Sequence, residues 1–361
     1  MKKHFVFLTV ITITGLFVFT SGCKNEIVNP TESNTERILF LSSYFSSNNN
    51  TKSNIFIINI DGTELKQLTF GEDYYSVSPV VTSDGAKIIF ESIGNGERDI
   101  YSMNLDGSNR FNLTNSPSID VSPSVTNDNK FIIFERYEII NGYVQNSQIY
   151  KMGIDGSNPI NLTNNSYFCH SPLVSPDDNK IIYTVYLTDK PYLFSMNLDG
   201  SNQTSLTDSS VVLSDLPDNY SISSDGRKLV FVGYNQLNEQ KDIFLVNIDG
   251  SSLINLTNDK ELESRPKFSN DNLNIIYDVS GHSGIDEIRP IKVIPTSGGN
   301  SRTIINYLNA SSPSYLGSDD KILFVAKEDD NYDIFSVNLD GENLFNITNR
   351  KIDDYNPVPI P

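Results

Sequence analysis

Tryptophan is absent from this 361-residue chain, methionine occurs four times, histidine three times and cysteine twice. Two cysteines make no disulfide framework, so the fold must rest on its own apolar core, for which the length leaves ample material. Three histidines, one of them His4 near the start, are too few for a zinc or manganese centre built on several imidazoles. Positive charge is scarce too: 27 Lys and Arg stand against 45 Asp and Glu, a formal net charge of −18. Such a surface repels phosphate backbones, and nucleic acid is not an expected partner. What the chain has in plenty is Asn, Ser, Asp, Ile and Tyr. Turn formers mixed with β formers point to an all-β fold of many short strands.

Long apolar runs are also missing, with one exception. After Met1-Lys2-Lys3 comes Phe5 to Phe19, about 15 residues, short of the roughly 20 that cross a bilayer as a helix. A basic start followed by such a run fits a secretory signal. It ends in Thr20-Ser21-Gly22-Cys23, which resembles the bacterial lipoprotein signal, although Thr20 stands where that family has an aliphatic residue. The resemblance implies that residues 1–22 are removed and that Cys23 carries a lipid. Loss of Lys2 and Lys3 then takes the formal charge from −18 to −20. Residues 23–37 are polar and read as a flexible tether. Cys169 is left without a partner. The expected location is the cell envelope, at the outer membrane on its periplasmic or surface side, with the lipid as the only membrane contact.

Internal repetition decides the fold of the rest. Ile or Leu followed by Asp-Gly recurs at Ile60-Asp61-Gly62, Leu105-Asp106-Gly107, Ile154-Asp155-Gly156, Leu198-Asp199-Gly200, Ile248-Asp249-Gly250 and Leu339-Asp340-Gly341. The first five are 45, 49, 44 and 50 residues apart, the size of a four-stranded propeller blade. The double gap before the sixth holds a degenerate copy, Ile294-Pro295-Thr296-Ser297-Gly298-Gly299. Asp-Gly between two strands is a hairpin signal, and the tightest two-residue turns require positive φ.

Upstream of each turn lies an apolar triplet: Ile38-Leu39-Phe40, Ile88-Ile89-Phe90, Ile132-Ile133-Phe134, Ile181-Ile182-Tyr183, Leu229-Val230-Phe231, Ile275-Ile276-Tyr277 and Ile322-Leu323-Phe324. Runs of this kind, without alternation, belong to strands covered on both faces. Further upstream, strands open with Ser78-Pro79, Ser122-Pro123, Ser171-Pro172, Arg265-Pro266 or Ser312-Pro313, with Tyr220-Ser221-Ile222 as a variant.

A Ser-Pro strand, an Asp-Gly turn, an apolar strand, Asp-Ile-Tyr, Leu-Asp-Gly and Leu-Thr, in that order, resemble the TolB-like propeller repeat. Seven copies imply a seven-bladed β-propeller of four-stranded antiparallel blades over residues 38–361. TolB itself has six blades and an extra N-terminal domain, so the chain is expected to be a relative and not TolB. The first unit lacks its opening strand, and Tyr355-Asn356-Pro357-Val358-Pro359-Ile360 looks like the missing piece. Residues 355–360 are therefore expected to pair beside Ile38 to Ser42, closing the ring and removing its open edges.

In such blades the tight turns gather on one face, and the longer connections on the other, where binding is usually built. The candidates there are the aromatics Tyr74, Tyr75, Tyr167 and Phe168, with His170, and the acids Asp120, Asp215, Asp218, Glu261, Asp353 and Asp354. A mouth of this composition suits a cationic or peptide partner, or stacks on sugars. Chemistry has less to stand on. Cys169 and His170 are adjacent and in a strand point to opposite faces. The spaced acids of a calcium loop are missing, and no pair of carboxylates is singled out. The expectation is a monomeric, non-enzymatic envelope lipoprotein, without metal or cofactor, whose loop face binds a protein or peptide. The alternative is a carbohydrate-binding or carbohydrate-active propeller.

Overall fold

The repeated turn sets the geometry of every blade. Asn59 N–H donates to the Thr63 carbonyl and Gly62 N–H to the Asn59 carbonyl, so a turn over Ile60-Asp61 is followed by a bulge residue. Gly62 has φ +82°, whereas Asp61 is not left-handed. The hairpin is thus a three-residue loop with a glycine bulge, not the two-residue turn expected from Asp-Gly. Asp61 Oδ1 accepts both the backbone N–H and the hydroxyl of Thr63, at 3.0 and 2.5 Å, and the same motif recurs at Asp106, Asp199 and Asp249.

The computed structural model describes residues 36–45, 51–70, 75–93, 97–140, 143–207, 210–214, 220–235, 240–280, 287–317 and 320–361. They are all-β, with strands in seven antiparallel sheets, each one blade. Blade 1 is Asp353–Pro359, Arg37–Phe45, Thr51–Asn59 and Lys66–Gln67, from inner to outer strand. Blade 2 runs from Ser76–Val81 to Phe111–Asn112, blade 3 from Ile119–Val125 to Ile160–Asn161, and blade 4 from Phe168–Val174 to Thr204–Ser205. Blade 6 spans Leu262–Phe268 to Arg302–Leu308, and blade 7 spans Ser311–Leu316 to Phe345–Asn346.

Blade 5 departs from its sisters. Both Val211–Leu213 and Tyr220–Ile222 pair with its second strand, Lys228–Asn235, so the inner strand is split in two. Only Tyr220-Ser221-Ile222 is expected from the sequence. Residues 211–213 are also buried strand, because Val211 and Leu213 complete an apolar cluster with Leu193, Tyr220 and Phe231.

The tail closes the ring as expected. Ile38 pairs with Pro359, Leu39 with Val358, Leu41 with Tyr355 and Ser42 with Asp354. Ile360 N–H donates to the Arg37 carbonyl at 3.1 Å.

Seven apolar clusters, one per seam, hold neighbouring blades together. The triplets explain how. Ile89 joins Ile132 and Phe134 of blade 3, while its neighbours Ile88 and Phe90 face Leu39 and Leu41 of blade 1. Successive side chains of one strand thus serve opposite seams, which is why no polar residue interrupts the run.

Candidate functional site

The inner strands carry a second repeated feature. The residue before proline is left-handed in six blades: Ser78, Ser122, Ser171, Arg265, Ser312 and Asn356 have φ between 50° and 53°. At each the pairing with the second strand shifts register, so each inner strand has a bulge. Two of the bulged N–H groups are held from the preceding blade: Ser122 N–H donates to Glu91 Oε1 at 2.8 Å, and Ser171 N–H to Glu135 Oε2 at 3.1 Å.

These bulges ring a central cavity of about 1260 Å3. Pro79, Pro123, Pro172, Pro313 and Pro357 line it, with Tyr75, Tyr137, Tyr186, Tyr220, Tyr332 and Tyr355. Its charges reverse the balance of the chain. Arg98, Arg265, Lys267 and Arg289 face it, with His170, against Glu91 and Glu135. Arg98 lies over the Tyr75 ring, 5.5 Å from its centre. Arg265 bonds the buried Asp278 at 2.9 Å. Among the described residues, the Nε of Arg289 is buried without a hydrogen-bond partner.

His170 is the most elaborated residue of the wall. Its Nδ1 lies 2.6 Å from Glu135 Oε1 and 3.2 Å from Ser147 Oγ. Its ring stacks on Phe168 at 5.9 Å and meets the edge of Tyr186 at 5.3 Å. Serine, histidine and glutamate therefore meet, but both partners use the same nitrogen. A relay needs the acid on one imidazole nitrogen and the nucleophile on the other, so this trio orients the ring instead. Cys169 turns away into the seam, fully buried, and burial pushes its thiol up to about 11.

The expected contact residues fall in different places. Tyr75 and His170 line the cavity, and Tyr167 and Phe168 lie exposed beside it, with Asp353 accepting the backbone N–H of Tyr332 at 3.0 Å. Asp120 and Asp354 are not surface contacts. Both are fully buried, because Arg136 and Arg350 hold them inside seams. Glu261 pairs with Lys292 beside Asp259 and Glu263. Tyr74, Asp215, Asp218 and Cys23 lie outside the described residues.

The cationic wall residues are not among the expected contacts, because they lie on strands that face the axis and not on the connecting loops. One signal was available: Arg265-Pro266 puts an arginine where five sister strands carry serine or asparagine.

The family model of the TolB β-propeller domain matches residues 41–215 and 141–359. The chain belongs to that family. No curated protein matches it. Among solved structures, TolB from Acinetobacter baumannii is 18% identical, with a TM-score of 0.55 over 90% of this chain and 67% of its own. An oligogalacturonate lyase in complex with manganese is 13% identical, with a TM-score of 0.65 over 79% and 82%. Puromycin hydrolase S511A, complexed with PGG, is 11% identical, with a TM-score of 0.67. It covers 88% of this chain, which spans about half of the hydrolase at 54%. What these family members and neighbours share at such identities is the propeller fold, on which binding proteins and enzymes alike are built.

Proposed function

We propose that the protein is a non-enzymatic binding propeller of the cell envelope, anchored by a lipid on Cys23, whose central cavity takes a carboxylate-bearing segment of another protein. The observation that carries this reading is the basic sector formed by Arg265, Lys267 and Arg289 inside an otherwise acidic chain. Cationic groups on a low-dielectric concave wall attract and orient an anion far better than the same charges on an open surface. The planar guanidinium fork of Arg289 on the cavity wall suits paired hydrogen bonds to a carboxylate. Proline and tyrosine around it offer rigid apolar contact at small entropic cost.

Selection from a displayed library of random peptides tests the reading. Ligands rich in Asp and Glu are expected, and Arg289→Glu should weaken them by about tenfold or more, since a like charge replaces the attraction. Ligands without acidic residues, or indifferent to that substitution, would refute it. Anchoring is tested separately: Cys23→Ser should release the protein from membranes, and retention would discard the lipid.

A second reading draws on the aromatic cluster of Phe168, His170 and Tyr186. Flat rings beside a cavity stack on sugars, and a glycan ligand would be recognised by loss of binding in Phe168→Ala.

A further inference from the structure

Three seams bury the same pair of carboxylates, one from the third strand of a blade and one from the inner strand of the next. The pairs are Asp99 with Asp120, Asp333 with Asp354, and Asp242 with Glu263, all six buried. In the first two an arginine compensates. Arg136 donates to both oxygens of Asp120, at 2.6 and 2.8 Å, and Arg350 Nε donates to Asp354 at 3.0 Å. Arg350 stands four residues before its aspartate. Ser116 holds that place before Asp120 and donates to it at 3.0 Å.

The third seam, between blades 5 and 6, has lost both donors. Val279 stands opposite Glu263 where Arg136 stands opposite Asp120. Four residues before Glu263 comes Asp259, an acid in the place of a donor. Among the described residues, both oxygens of Glu263 are buried without a hydrogen-bond partner, and so is Oδ1 of Asp242. Ligand oxygens of Asp259, Glu261 and Glu263 lie within 4.8 Å of one another. Lys292 is engaged by Glu261. Two sister seams place positive charge where this one concentrates negative charge.

We propose that this seam binds a calcium ion through the carboxylates of Asp259, Glu261 and Glu263, the ion doing there what arginine does in the sister seams. All the donors are oxygens, which suits a hard cation and disfavours metals that seek sulfur or nitrogen. Asp259 is exposed, so water completes the shell. Calcium accepts such an irregular set with waters, whereas magnesium demands a near-ideal octahedron. The inference stands apart from the reading of the cavity, since none of these three residues lines it.

Calorimetric titration of calcium chloride into the chelator-treated full chain, with melting curves, tests the site. One-site binding and a rising melting temperature are expected. Glu263→Gln should weaken binding about tenfold or more. Asp259→Arg, which copies the arrangement of the seam between blades 7 and 1, should abolish the calcium response and melt above the wild type in chelator. The proposal is overturned if millimolar calcium gives neither heat nor shift, or if Glu263→Gln or Asp259→Arg binds as the wild type does. An equal shift with magnesium in wild type and Glu263→Gln would equally overturn it, as general screening.

Discussion

The seams at blades 7 and 1 and at blades 5 and 6 are built on one plan and end in opposite states. In the first, Arg350 reaches Asp354 and Ser42 and lies over the rings of Phe40 and Phe56, 5.2 and 4.6 Å from their centres. One guanidinium thus neutralises a buried acid, joins the tail to the opening blade and covers an aromatic pair. In the second, the pair is Tyr277 and Lys292, and the guanidinium is replaced by further carboxylates. The lesson is that the repeat specifies backbone and apolar packing, while positions outside the repeat set the charge of each seam. A repeat array tolerates such divergence because each blade touches only its neighbours.

The comparison can be broken most severely at the closure. Removing residues 355–361 takes Tyr355, Val358 and Ile360 from two apolar clusters and opens both edges of the ring. Melting should then fall by about 10 °C or more, or the chain should aggregate, as calorimetry and light scattering would show. An unchanged melt would mean that the tail does not close the ring.

Next in size is the arginine itself. Arg350→Ala leaves Asp354 buried without its partner and should cost about 3–5 kcal/mol in urea unfolding. Arg136→Ala should behave alike at the seam of blades 2 and 3. A loss below about 1 kcal/mol in both would show that the guanidinium groups are ornaments on an apolar seam.

A pH series sharpens the contrast through Asp278, behind the basic sector. Burial pushes its carboxyl up to about 6, with Arg265 opposing. The folded state then keeps a proton that the unfolded state has released. The stabilisation from this group is complete below about pH 4 and is lost as pH rises through 6. Denaturation midpoints should fall across that window in the wild type and flatten in Asp278→Asn.

The smallest effect separates two turns. Gly156 and Gly298 are both left-handed, but a Cβ on Gly156 would meet the Leu113 carbonyl at 2.7 Å, whereas at Gly298 nothing lies within 4 Å. Substitution by alanine should cost about 1 kcal/mol at Gly298 from backbone strain alone, and more at Gly156. Equal losses would show that the turn of blade 6 is as tightly packed as the others.

The fold was legible because its signals were redundant. Seven triplets, six turns in which Ile or Leu precedes Asp-Gly, and five Xaa-Pro starts agree on one unit, and a missing first strand in blade 1 is answered by a spare strand at the end. The site was legible only in part. Tyr75 and His170, named as loop-face candidates, line the axial cavity, yet Asp120 and Asp354 look like any loop acids in sequence. Only the register that sets Arg136 opposite Asp120 reveals a buried ion pair. The cationic wall was hidden for a similar reason: Lys267 and Arg289 are twenty-odd residues apart and converge only when strands are wound about an axis.

A photo-crosslinking residue tests most directly whether the inside of the ring is the binding surface. It would be placed at position 186, in the cavity wall, or at position 111, exposed on the outer strand of blade 2, and each protein illuminated with a selected acidic peptide. Crosslinking from 186 and none from 111 is the predicted result. Peptide captured at 111 and not at 186 would contradict the account.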